Sequence, residues 1–498
     1  LAYWLLRVRK VALLGQSFGT LAVGFATLAV PLAFSARWTC AAWALEGVAL
    51  IWLGLRQQRV LPQIAGIALQ GLAAVAYGVS LFDGGWNAIE GEWPVLNGHA
   101  LCVLLLCACA FAVAWLYERA GKNRFWVWPG FIVGTLWWGW AGLREIEQHV
   151  ASFSWHSGGV GTASTWVGFA AITLLVMAGL RRLVHWPRLG WNVLLALGLS
   201  LPLAMASQVD APTALHWPLA GGWLVWIVAA VFALALLRAP LQRGLGFGHI
   251  VFLATLSLAY GLALNRFARD AGLGADWTFV AALLPLIVLF VLTARWPALG
   301  AFPLAREFPR HAPVWFALAG IGLGLAWVQS LALSGAVAPL PYLPLFNPVE
   351  LLQLIGLIVA AHWAWKHLSQ QAPWLVAMAG FVYLTMAGLR GVHHYAGLPW
   401  SPSMLDNGIA QATLTVLWSI AGVIAWIAGS RRQQWPLWLA GAIGMGLVLV
   451  KLILVDRHYV GNLAGIVSFM AVGGLLVLVG RIAPTPPRHD VSTQEEPE

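Results

Sequence analysis

"TMAGLRGVHHYAGLPW" (385–400) ends a run of about fifteen apolar residues with an arginine, two adjacent histidines and a proline. A helix that leaves hydrocarbon reads this way. Its apolar body fills the bilayer core, and its charged and cyclic residues mark the exit. The same reading extends over the whole chain. Of its 498 residues, 60% are hydrophobic and 9% are charged, and mean hydropathy is +0.79. Soluble domains carry roughly 25% charged residues, and no soluble core needs this much apolar surface. The expected fold is an all-α polytopic transmembrane bundle.

Windows of about twenty residues give sixteen candidate spans, the first near 11–34 and the last near 462–480. They form a single multi-pass region over residues 1–482. No connection is long enough for a soluble domain. The Pro-rich, polar end 483–498 reads as a disordered cytoplasmic tail. The 31 tryptophans suit the headgroup region, which satisfies both the ring and its N–H.

Net charge is +10, which in such a chain marks loops and does not point to nucleic acid. With the N-terminus and every second loop on one side, that side holds 21 of the 28 Lys and Arg. It is therefore read as cytoplasmic, with both termini on it. The other side carries Arg144, Arg266, Arg269 and Arg390 and most of the acids.

Phrases recur. "AGLR" stands at 141–144 and 387–390, with His149 and His393–His394 following. "LGLRQQRVLPQIAG" (53–66), "AGLRRLVHWPRLGW" (178–191) and "AGSRRQQWPLWLAG" (428–441) share a second pattern. The simplest unit is four helices used four times in parallel, roughly 11–117, 125–237, 245–365 and 372–480.

Arg390 ends a helix whose terminal carbonyls favour a cation, and Arg144 holds the matching place one phrase earlier. Snorkelling explains such cations simply. The sharper reading is an outward-facing pocket in which Arg144, His149, Arg390, His393, His394 and Glu350 bind an anion through paired N–H groups. Gln353 lies one turn after Glu350 on the same helix face. Glu46, Lys451 and Asp456 are intramembrane charges, costly unless they face the bundle interior or each other. The sulfurs of Cys40, Cys102, Cys107 and Cys109 read as buried apolar groups, without a CxxC or a disulfide framework. No HExxH, GxSxG or nucleotide-binding loop appears, so no metal or cofactor is expected.

Two stretches, 25–70 with "WALEG…LGLR" and 438–487 with "VKLILVD…SFMAVG", resemble a family of multi-pass bacterial inner-membrane proteins, domain of unknown function 2339. The resemblance implies an inner-membrane location and places Glu46, Lys451 and Asp456 on motif positions. It also implies further sequence upstream, so the chain is expected to be a piece of a longer protein. Where the family pattern has an arginine before "SF", this chain has Gly465.

Three functions remain open. The first is binding or passage of an anionic or lipid-linked solute, with the bilayer as the chain's first partner. The second is an intramembrane enzyme on a lipid-linked substrate at the periplasmic face, which the short outer loops disfavour. The third is a scaffold for envelope proteins.

Overall fold

The computed structural model describes residues 36–82, 93–121, 123–157, 162–206, 222–237, 242–367 and 372–456, with isolated positions outside these ranges. Among the described residues there are helices and turns and no strand. The expected spans at 11–34 and 462–480 and the tail 483–498 lie outside the described residues. Among the described residues eleven helices are long and apolar enough to cross a membrane, and two shorter apolar helices accompany them.

The chain divides into two compact units, residues 1–259 with 301–308, and residues 260–300 with 309–498. The first holds α1 (Ala36–Gln57), α2 (Val60–Ser80), α3 (Gly98–Ala120), α4 (Val127–Ser157), α5 (Thr162–Val184), α6 (Gly190–Ala206) and α7 (Gly222–Leu236). Helix α8 (Gln242–Asp270) passes from the first unit into the second. The second continues with α9 (Ala275–Arg295), α10 (Phe308–Ser330), α11 (Pro348–His367), α12 (Ala372–Ala396), α13 (Gly408–Arg431) and α14 (Trp435–Lys451). In the first unit α1 packs on α2 and α3, α3 on α4, and α5 on α6 and α7. In the second, α11 packs on α9 and α12, and α13 on α12 and α14.

The recurring phrases make recurring turns. Gln58, His185 and Gln433 all take the left-handed conformation, with φ of 56°, 54° and 54°. In each case the following N–H reaches back to close the helix end: Arg59 to the Gly54 carbonyl at 2.9 Å, Trp186 to Arg181 at 3.2 Å, and Gln434 to Gly429 at 2.9 Å. This is a Schellman closure, which satisfies carbonyls that the helix end leaves open. A proline then opens the next helix (Pro62, Pro187, Pro436).

The α1–α2 and α13–α14 hairpins match further. A Cβ on Gly66 would lie 2.5 Å from the Gly47 carbonyl oxygen, and one on Gly441 2.7 Å from that of Gly422. Gly54 and Gly429 stand where the next helix crosses, against Gln63 and the Trp438 backbone. Such contact is the usual way small residues bring membrane helices together.

Tryptophan is used differently from the interfacial reading. Trp226 and Trp315 are buried inside their units. Their indole N–H groups donate to Ser200 Oγ at 2.8 Å and Thr293 Oγ1 at 3.0 Å on the preceding helix. Trp418 donates to Thr385 at 3.0 Å and Trp138 to Thr173 at 2.9 Å. Each hydroxyl donates in turn to the carbonyl four residues back in its own helix. A buried indole N–H needs such a partner, and these pairs tie consecutive helices together.

The cysteines also depart from expectation. Cys40 on α1 and Cys102 on α3 are joined by a disulfide, whereas Cys107 and Cys109 are buried free thiols.

Candidate functional site

After Ser330 the chain runs for seventeen residues, 331–347, without a charged side chain before α11 begins. This segment has no ladder of its own, so its backbone groups need partners from elsewhere. The second unit supplies them at one end, from α9, α11 and α12.

Arg390, in the last turns of α12, is fully buried. Its Nε donates to the Leu333 carbonyl, Nη2 to the Ser330 carbonyl and Nη1 to Gln353 Oε1, each at 2.9 Å. Glu350 Oε1 stands 3.9 Å from Nη1 and is also fully buried. Gln353 Nε2 donates to Ser330 Oγ at 2.8 Å, while its carbonyl accepts from the Trp327 indole at 3.1 Å. The Glu350 carboxylate accepts from the Tyr342 hydroxyl at 2.7 Å and from the Leu345 N–H at 2.6 Å. Asn347 caps α11 by accepting from the Val349 N–H at 2.8 Å, and donates to the Gly335 carbonyl at 2.7 Å. Burial, and then the bond to Glu350, push the Tyr342 phenol well above its ordinary range, so it stays a donor.

Asp276, in the first turn of α9, is 2% exposed. The N–H groups of Gly335 and Ala336 hydrogen-bond to it, and the charges of Arg390 and His394 act on it. Its Oδ2 has no hydrogen-bond partner. His394 is half-buried, bonds to the Ser334 carbonyl at 3.1 Å and stacks on Tyr342 with ring centres 4.2 Å apart. His393 bonds to the Leu398 carbonyl at 2.5 Å and lies beside Trp400, whose indole donates to the Ala332 carbonyl at 2.8 Å.

The first unit has a smaller centre. Asn97 caps α3 by accepting from the Ala100 N–H at 2.7 Å, and its Nδ2 donates to Glu145 Oε1 at 2.8 Å. The other Glu145 oxygen accepts from the Val95 N–H at 2.8 Å and lies 3.4 Å from His149 Nδ1. Arg144 is 3% exposed and within hydrogen-bonding reach of the Tyr77 hydroxyl, which accepts from Trp140 at 3.2 Å.

The structure thus brings Arg390, Glu350, Gln353 and His394 together, with His393 at the edge, and places Arg144 and His149 in a separate centre. Glu46 stands half-buried on α1. Lys451 ends α14, where its ammonium donates to the Gln411 carbonyl at 3.1 Å and Thr415 Oγ1 at 2.7 Å. The side chain of Asp456 lies outside the described residues. Among the described residues no three His, Cys, Asp or Glu side chains converge to hold a metal ion.

Tyr342, Asn347, Ser330 and Asp276 are absent from the sequence-derived set. The available signal was the segment itself, "PLPYLPLFNP" (339–348), uncharged and proline-rich between two spans. Burial separates the arginines as composition could not. Arg56, Arg59, Arg119, Arg182 and Arg269 are exposed, as are Arg295, Arg310, Arg431 and Arg432, whereas Arg144, Arg181 and Arg390 are enclosed; of these three, Arg181 donates to the Leu236 carbonyl at 3.1 Å and belongs to neither centre.

A family model described as a predicted membrane protein, DUF2339, matches residues 1–486. No curated protein and no solved structure matches the chain.

Proposed function

The chain belongs to the DUF2339 family of predicted membrane proteins, and from that premise we propose that it binds an anionic or lipid-linked solute at the α9–α11–α12 end of its second unit. The observation that carries this reading is the partly open edge of an otherwise closed polar centre. His394 and His393 are half-buried, and beside His394 the enclosed Asp276 keeps one oxygen without a partner. In this reading Arg390 and Glu350 brace this end and do not touch the solute, because their polar atoms are engaged by residues 330–353. One N–H of each histidine is held by a backbone carbonyl, so a histidine donates to a phosphate or carboxylate through its other nitrogen once that nitrogen is protonated, with Asp276 as a proton-accepting group behind them.

The proposed orientation puts this end outside the cytoplasm, in the bacterial inner membrane, with both ends of the chain inside. The matching turns and glycines of α1–α2 and α13–α14 support the proposal that four-helix repeats built the chain.

The test is native mass spectrometry of the protein released from bacterial membranes in mild detergent. The wild-type chain is expected to retain an anionic species that a His393→Ala, His394→Ala double variant loses. Identical spectra from both would refute the reading.

A further inference from the structure

Two stretches not paired by the recurring phrases share one pattern: "WPVLNG" (93–98) before α3 and "LPLFNP" (343–348) before α11. Each has a proline, two apolar residues, an asparagine and then the helix. The geometry repeats with the letters. Val95 and Leu345 both take the left-handed conformation, with φ of 64° and 69°. β-branched and bulky residues rarely adopt it. In both cases a carboxylate accepts the N–H of that residue, Glu145 at 2.8 Å and Glu350 at 2.6 Å. In both, the asparagine two positions on caps the next helix. A buried arginine of an "AGLR" phrase follows in the next helix.

The consequence lies on the outer side of each loop. With the N–H of Val95 and of Leu345 held by a carboxylate, the neighbouring apolar side chains stand exposed. Leu96 is 75% exposed and Phe346 74%, and Trp93 and Leu343 flank them, also exposed. Neither 93–98 nor 331–347 contains a charged residue. The clamp prevents the loop from folding these side chains inward.

We propose that each loop is an interfacial docking element whose apolar tip enters the headgroup–acyl boundary of the adjacent lipid leaflet. Two observations favour lipid over a protein partner. The tip is continuous with the membrane-facing surface, since Leu351, Ile355 and Ile358 continue the exposed apolar row down α11, and Leu101 follows on α3. Depth agrees as well. The 23 residues of α10 span about 35 Å, against roughly 30 Å of hydrocarbon, so the segment that follows emerges at headgroup level. Trp93 and the exposed Tyr395 are residue types that favour this layer. The inference does not depend on a solute at His394.

The test uses the full chain in vesicles of phosphatidylethanolamine and phosphatidylglycerol. A Phe346→Cys variant, with Leu343→Cys and Leu96→Cys beside it, carries an environment-sensitive fluorophore. The unsubstituted chain, whose thiols are buried or joined, sets the background. Ser403→Cys, on an exposed polar turn, is the water-facing control. The expected result is strong quenching by lipids carrying a shallow nitroxide, with iodide quenching far below that at position 403. Iodide access equal to the control would overturn the proposal. Shielding from both quenchers would overturn it too, since protein would then cover the tip.

Discussion

Arg390 has three guanidinium nitrogens bonded to backbone or amide oxygens inside the second unit, and a carboxylate at the fourth side. Replacing it with alanine would leave Glu350 enclosed without its counter-charge and the Ser330 and Leu333 carbonyls without their donor. A loss of about 3–5 kcal/mol is expected, read as an earlier thermal transition in detergent by fluorescence-detected gel filtration. Lysine should recover little, because an ammonium cannot reproduce the planar fork. The exposed Arg432→Ala should stay within about 0.5 kcal/mol of wild type. Tyr342→Phe removes the hydroxyl that Glu350 accepts and should cost about 1–3 kcal/mol. Its pH dependence has a definite sign. The folded-state value lies above the unfolded one, so the stabilisation is whole below roughly pH 10 and is lost as pH climbs through the folded value. Unfolding temperature followed from pH 8 to 11 should fall less steeply in Tyr342→Phe than in wild type. Arg390, Glu350 and His394 were legible in the sequence because ions stand out in apolar text. Tyr342 was not, and Asp276, visible as an ion, could not be assigned to this centre, because what each meets depends on the path of 331–347.

Between helices, the recurring joint is an indole N–H on a hydroxyl. Thr293→Val keeps shape and removes the acceptor of Trp315, which is 1% exposed. The stranded donor should cost about 1–3 kcal/mol. Thr385→Val should cost less, because Trp418 is half-buried and water can reach it. The hairpins give a second comparison. A methyl group on Gly429 would strike the Trp438 backbone, whereas one on Gly446 meets nothing within 4 Å. Gly429→Ala should lower the unfolding temperature, and Gly446→Ala should leave it unchanged or raise it, since alanine adds up to about 1 kcal/mol of helix stability over glycine. Hydropathy found the all-helical membrane character, since apolar length alone defines a span, but against sixteen expected spans eleven helices among the described residues qualify. It misplaced Trp226 and Trp315, because composition favours the headgroup layer for an indole and cannot show a serine or threonine hydroxyl waiting on the neighbouring helix.

Over the whole molecule, the membrane architecture was readable because hydrocarbon excludes unpaired backbone and leaves helices as the open-ended solution. The disulfide was not readable, because Cys40 and Cys102 are 62 residues apart and only the packing of α1 on α3 joins them. The pairing itself can be tested. Protein extracted from cells and denatured without reductant should take up two polyethylene-glycol maleimides, and four after reduction; four from the start would show two more free thiols. Arg390 has a last, mechanical implication. It fastens α12 to the connection between α10 and α11, so neither can slide while those bonds hold. When a cantilever pulls the C-terminal end out of a bilayer, α12 and residues 331–347 should therefore come away in one force peak. Arg390→Ala should split that peak in two.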